Sequence, residues 1–158
     1  MNWKVLLTVL FFCLASTATY GKASQSNQIE PVNFSNYLTV CDGCLQSGLT
    51  YAYTVPAGKR LVIEYISVEV DNIAVGDSVD VSVYTTVGTE GVRHYLGVAE
   101  PIVRSKIDNF SNPYRSVSRQ VKIYADPETP VSLHANRLSR VGETLVRFSF
   151  SGYLEKTK

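Results

Sequence analysis

Apolar residues at every second position, in one segment after another, limit most strongly what this chain can become. Val79, Val81, Val83 and Val87 alternate with Asp80, Ser82, Tyr84 and Thr86. Successive side chains of an extended strand point to opposite faces, so a period of two describes a strand with one dry face and one wet face. The same pattern, or a run of β-branched and aromatic residues at strand length, covers Leu49–Val55, Leu61–Val70, Val92–Val98, Val117–Ala125, Val131–Asn136 and Leu145–Leu154. Val117, Val121, Ile123 and Ala125 share a face, as do Val146, Phe148, Phe150 and Leu154, while Val92, Leu96 and Val98 share one with His94. Leu61–Val70 is apolar on both sides at its start and alternates from Ile66 onward, which suits a strand buried on both faces at one end. Turn chemistry separates the segments at Pro56-Ala57-Gly58, Gly88–Gly91 and Asp126–Pro130. Nothing after the N-terminal stretch holds a 3.6-residue apolar spacing long enough for a helix, apart from a short helical turn expected within Glu100–Asn112. The expected fold is all-β, a single antiparallel β-sandwich or jelly roll, with immunoglobulin-like and jelly-roll connectivity both open.

The first residues have a different character. Lys4 precedes an apolar run, Val5–Ala15, and Ser16 and Ala18 follow at the spacing a signal peptidase reads. The run is about 11 residues, against roughly 20 for a membrane-spanning helix. The expectation is a signal peptide over 1–18 (alternatively 1–23), a flexible polar leader over 19–37 and the sandwich over 38–158. Cys13 follows bulky Phe11 and Phe12, which argues against lipid attachment there. Such a chain is secreted or periplasmic and carries no membrane span once processed. Without residues 1–18, 140 residues remain, one domain with a real core. Acidic and basic residues then balance, leaving no electrostatic footprint for nucleic acid.

The local motifs that could carry chemistry are few. Cys41-Asp42-Gly43-Cys44 has the spacing of a redox pair, but no βαβ pattern or amphipathic helix adjoins it. Haem attachment would need His where Leu45 stands, and structural zinc would need two more ligands. In an oxidising compartment the two cysteines are expected to form a structural disulfide. His94 and His134 are the only histidines, too few for a jelly-roll metal site. The Asp71–Asp80 loop lacks the dense acidic spacing of a calcium loop. There is no GxSxG, and the carboxylates able to converge are Glu64, Glu69 and Asp80. Asn33 and Asn109 match the glycosylation pattern, which matters only in a eukaryotic secretory host. No catalytic residue, metal or cofactor is assigned. The ten tyrosines stand out more. Tyr84, Tyr95, Tyr124 and Tyr153 take the parity opposite the apolar face of their strands, so they are candidates for a binding surface facing a glycan or a protein. The readings in play are a non-enzymatic binding module, a structural subunit that self-associates through its sheet, and an enzyme using the cysteine pair or the carboxylates.

Three strings, Tyr53–Ser67 (YTVPAGKRLVIEYIS), Val121–Pro127 (VKIYADP) and Ser151–Leu154 (SGYL), resemble in identity and order a group of small exported bacterial proteins of no assigned activity. The resemblance runs over roughly residues 50–154. It implies an exported β-sandwich and supplies no site residue. Turns that set strand register would account for such strings without any shared chemistry.

Overall fold

The computed structural model describes residues 29–71, 77–98, 100–101 and 115–157. All described regular structure is extended, in nine strands: β1 (Glu30–Val40), β2 (Gln46–Thr54), β3 (Lys59–Asp71), β4 (Val79–Val87), β5 (Glu90–Val98), β6 (Glu100–Pro101), β7 (Arg115–Ala125), β8 (Pro130–Arg137) and β9 (Thr144–Lys156). They form two packed antiparallel sheets. One has the order β1-β9-β3-β7-β6, with β6 only two residues long; the other has the order β2-β8-β4-β5. The connectivity left open by the sequence is that of a jelly roll. Strands pair as β1·β9, β2·β8, β3·β7 and β4·β5, so the chain is one long antiparallel ribbon rolled up on itself. The tip of the ribbon is the two-residue turn Gly88-Thr89, between Val87 and its partner Glu90, with Gly88 at φ 63°.

The seven expected strands all form, most of them a few residues longer than the apolar pattern shows. One expectation is corrected. The flexible leader does not extend to residue 37, because β1 begins at Glu30 and pairs with β9 along its whole length; residues 19–28 and the expected signal peptide lie outside the described residues. The expected turn Asp126–Pro130 carries the chain from β7 in one sheet to β8 in the other. Of the Glu100–Asn112 segment expected to hold a helical turn, Glu100 and Pro101 form β6 and the rest lies outside the described residues.

Period-two burial builds the core. Val79, Val81 and Val83 of β4 share one buried cluster with Ile66, Val68 and Val70 of β3 and with Val146, Phe148 and Phe150 of β9. Val87 and Val92 depart from the pattern and are partly exposed, because they sit beside the ribbon tip, beyond the cover of the facing sheet. Phe34 of β1 stacks on Phe150 at 4.9 Å, and Tyr53 of β2 meets both rings edge-on, which closes the side of the sandwich.

The centre of the larger sheet explains the three strings noted above. β3 bulges near Glu64, so Ile63 pairs with Gly152 but Tyr65 pairs with Ser151. Val62 faces outward yet is wholly buried, flanked in register by Tyr124 on one side and Tyr153 on the other. A Cβ on Gly152 would overlap the Val62 carbonyl oxygen, so only glycine fits there. At the nearby end of the sandwich, the Val55 N–H donates to the Thr129 carbonyl (3.1 Å) and the Glu128 N–H to the Val55 carbonyl (2.9 Å). Asp126 accepts from the Gly88 N–H (2.6 Å) and from Arg60 Nε (2.9 Å). The Gly88 contact is the main reason its carboxyl lies below the usual carboxylate range. The three strings are therefore neighbours in one structural unit.

Gly152→Ala is expected to destabilise the protein by about 3 kcal/mol or more, since backbone must move. Gly58→Ala, at φ 68° in open space, is expected to cost only about 1 kcal/mol. Urea denaturation of the two variants checks the order.

Candidate functional site

The four tyrosines expected to form one surface lie on two. Tyr84 (β4) and Tyr95 (β5) stand on the outer face of the smaller sheet, whereas Tyr124 (β7) and Tyr153 (β9) stand on the outer face of the larger one. Parity within a strand says inward or outward, not which sheet the strand joins. Tyr124 and Tyr153 are half-buried lids over Val62, with the Lys122 ammonium 5.9 Å from the Tyr124 ring centre.

Tyr84 and Tyr95 belong to a cluster on the smaller sheet. Register places Arg93 directly beside Tyr84, and both Tyr95 and His134 beside Ser82. The Arg93 guanidinium lies 4.5 Å from the Tyr95 ring centre and 5.2 Å from that of Tyr84. Its Nε donates to Ser82 Oγ (3.2 Å), which fixes its orientation. The His134 ring meets Tyr84 at 4.6 Å, edge to face. Tyr95 remains 71% exposed. On the other side of His134, a Cβ on Gly48 would come within 2.8 Å of Nδ1, so β2 needs glycine there to admit the imidazole. Burial and then the Arg93 charge lower the His134 pKa, so the ring is neutral at physiological pH. The result is a row of four side chains, His134–Tyr84–Arg93–Tyr95, across three strands. Among the described residues no carboxylate forms an ion pair with Arg93.

The larger sheet carries a shallow open groove of about 330 Å³ on its outer face, lined among others by Asn33, Ser35, Tyr65, Ser149 and Ser151. Tyr65 forms its wall because the β3 bulge shifts the parity and turns this ring outward; simple alternation does not reveal it.

The remaining candidates sort plainly. Cys41 and Cys44 are bonded to each other in the turn between β1 and β2. That turn is held by a buried arginine: Arg137 donates from Nη2 to the Cys41 carbonyl (2.7 Å), from Nε to the Cys44 carbonyl (2.9 Å) and from Nη1 to Thr144 Oγ1 (3.0 Å). Gly43 N–H donates to the Arg140 carbonyl and Gly142 N–H to Asp42 Oδ1, so the bridge is tied into the loop between β8 and β9. Glu64, Glu69 and Asp80 do not converge, since the first two are on β3 of one sheet and Asp80 is on β4 of the other. Glu69 instead lies 3.9 Å from Arg147, which also pairs with Asp71. His94 Nε2 is 3.0 Å from Thr85 Oγ1, a hydroxyl on a buried residue. No helix among the described residues is long and apolar enough to cross a membrane.

Two expectations follow. Arg137→Ala removes the donors to the Cys44 carbonyl and to buried Thr144 Oγ1 and is expected to cost about 3 kcal/mol. Opening the short Cys41–Cys44 loop is expected to cost about 2 kcal/mol. Denaturation of Arg137→Ala, and of the parent with and without reductant, compares them. His94 and His134 are both lowered by burial, so the fold favours their neutral forms. Unfolded imidazoles protonate near pH 6.5, so the stability these two rings contribute is full above that pH and is lost as pH falls from there through their lower folded values. The urea midpoint should therefore fall from about pH 7 to pH 5, and His94→Gln with His134→Gln should flatten that slope.

Compared with known proteins, the chain matches no protein-family model and no curated protein.

Proposed function

We propose that this chain is an exported, non-enzymatic binding module that uses the outer face of its smaller sheet. The observation that carries the reading is the arginine set between two tyrosines, with Tyr95 largely exposed and no acid engaging the guanidinium among the described residues. Arginine and tyrosine dominate binding hot spots, because each combines a broad contact face with directed hydrogen bonds. The ligand class is a glycan, a cell-surface component or a protein. Export is supported by the apolar N-terminal pattern and by the bonded cysteine pair. Tyr95→Ala should leave the thermal midpoint nearly unchanged and abolish capture on glycan arrays and in pull-downs from host surface fractions. Retained capture by this variant would remove the face from consideration.

A specific observation favours a second reading, a subunit that self-associates through a sheet edge. β1 pairs with β9 without any register shift, and from Pro31 to Val40 it carries no charge. Exposed edges are usually blunted by charge, bulges or cover. The β5 edge has a bulge and receives Arg119 Nε on the Leu96 carbonyl (3.1 Å), and the β2 edge has a bulge, with Tyr51 at φ 59°. Beyond Glu30 and Pro31 at its start, the β1 edge shows no charge and no bulge among the described residues, so it suits antiparallel pairing with a second copy. Light scattering tests this: Asn33→Lys with Tyr37→Lys should convert a dimer to a monomer, and a parent that is monomeric at high concentration removes the reading.

A further inference from the structure

Resting on the binding-face reading, we propose that the row His134–Tyr84–Arg93–Tyr95 binds a carboxylate-bearing sugar, a hexuronate unit within an acidic polysaccharide. Three features of the face select this chemistry. The first is the arginine. With Nε engaged by Ser82, the groups left for a ligand are Nη1 and Nη2, the planar fork that matches the two oxygens of a carboxylate. The tyrosine rings beside it limit its rotation, so little freedom is lost on binding. One guanidinium offers one positive charge, which fits a singly charged carboxylate.

The second feature is the exposed Tyr95 ring, which gives the apolar face of a pyranose a surface to lie on. The third is His134. A neutral imidazole has one donor and one acceptor, which suits a hydroxyl rather than a second anion. The row crosses β8, β4 and β5, a span of about 10 Å, the length of two sugar rings. Asp80 shares the face but lies two residues before Ser82, where it pairs in register with Asn136; it makes no ion pair with Arg93. An acid-bearing chain lying along the row would therefore meet the cation first.

Calorimetric titration of the full folded protein with oligogalacturonate and oligomannuronate, and with the matching neutral galactose and mannose oligomers, tests the assignment. At least one acidic oligomer should bind about tenfold or more tightly than its neutral counterpart, with affinity falling as salt rises. Arg93→Gln should lose about tenfold for the acid and nothing for the neutral sugar, whereas Tyr95→Ala should weaken both. Arg93→Lys keeps the charge without the fork and should fall between parent and Arg93→Gln; unchanged thermal midpoints confirm that the variants are folded. Equal binding of acidic and neutral oligomers, or full acid binding by Arg93→Gln, overturns the inference and leaves the face as a binding surface. No binding of any oligomer by the folded protein overturns the inference as well. The binding-face reading then stands or falls on whether Tyr95→Ala changes protein capture in the pull-downs.

Discussion

The structure depends on how closely β9 and β7 grip β3. Two apolar layers can slide past one another; a backbone carbonyl seated where a side chain would have to be cannot. At Gly152 the β9 chain comes so near Val62 that the β3 bulge and the register of both strands are set together. Tyr124 and Tyr153 then cover Val62 from the outside, so this strand is dry on both faces near its start. The inner-layer packing of Ile66, Val68 and Val70 follows from that register, since a one-residue slip would turn all three to water.

Polar groups act mainly at the two ends of the sandwich, where strands cross between sheets and backbone groups lose their ladder partners. At one end the Asp126 carboxylate draws together the Gly88 amide and Arg60. At the other, the Arg137 guanidinium gathers the carbonyls of the cysteine turn. Asp77 plays the mirror role there, its Oδ1 accepting the amides of Ser78, Leu138 and Ser139. One buried cation serves acceptors and one buried anion serves donors, so the loops are held without a direct pair between the two. The outer faces of the two sheets differ: one carries a cationic aromatic row, the other a hydroxyl-lined groove.

Alternation revealed strands wherever valine or isoleucine marked the dry face, and it failed where that marking was weak. In β1 the inward positions are Val32, Phe34, Asn36, Leu38 and Val40, with a polar residue in the middle and polar sequence before it, so the strand resembled a tail. The sandwich was readable because burial is local in its periodicity. The candidate site was readable only in part because half of it depends on hairpin register and the rest on a strand distant in the chain, β8. Tyr84 and Tyr95 could be seen to face outward, but alternation alone does not give the hairpin register that sets Arg93 beside Tyr84, and nothing local brings His134 across from Gly48. Tyr65 was hidden for a further reason, since a bulge inverts parity and announces itself only through the partner strand.

The rolled ribbon also orders events in time. Its tip, β4 with β5, joins residues a few positions apart, while its last rung joins Glu30 to Leu154. Loop-closure entropy makes the tip the easiest part to form and the last rung the hardest. Because synthesis runs from the N-terminus, Phe34, Leu38 and Val40 stay wet until β9 has been made. Such a molecule completes its core only once its last strand exists, and during that interval a holding chaperone would find its apolar grip on β1.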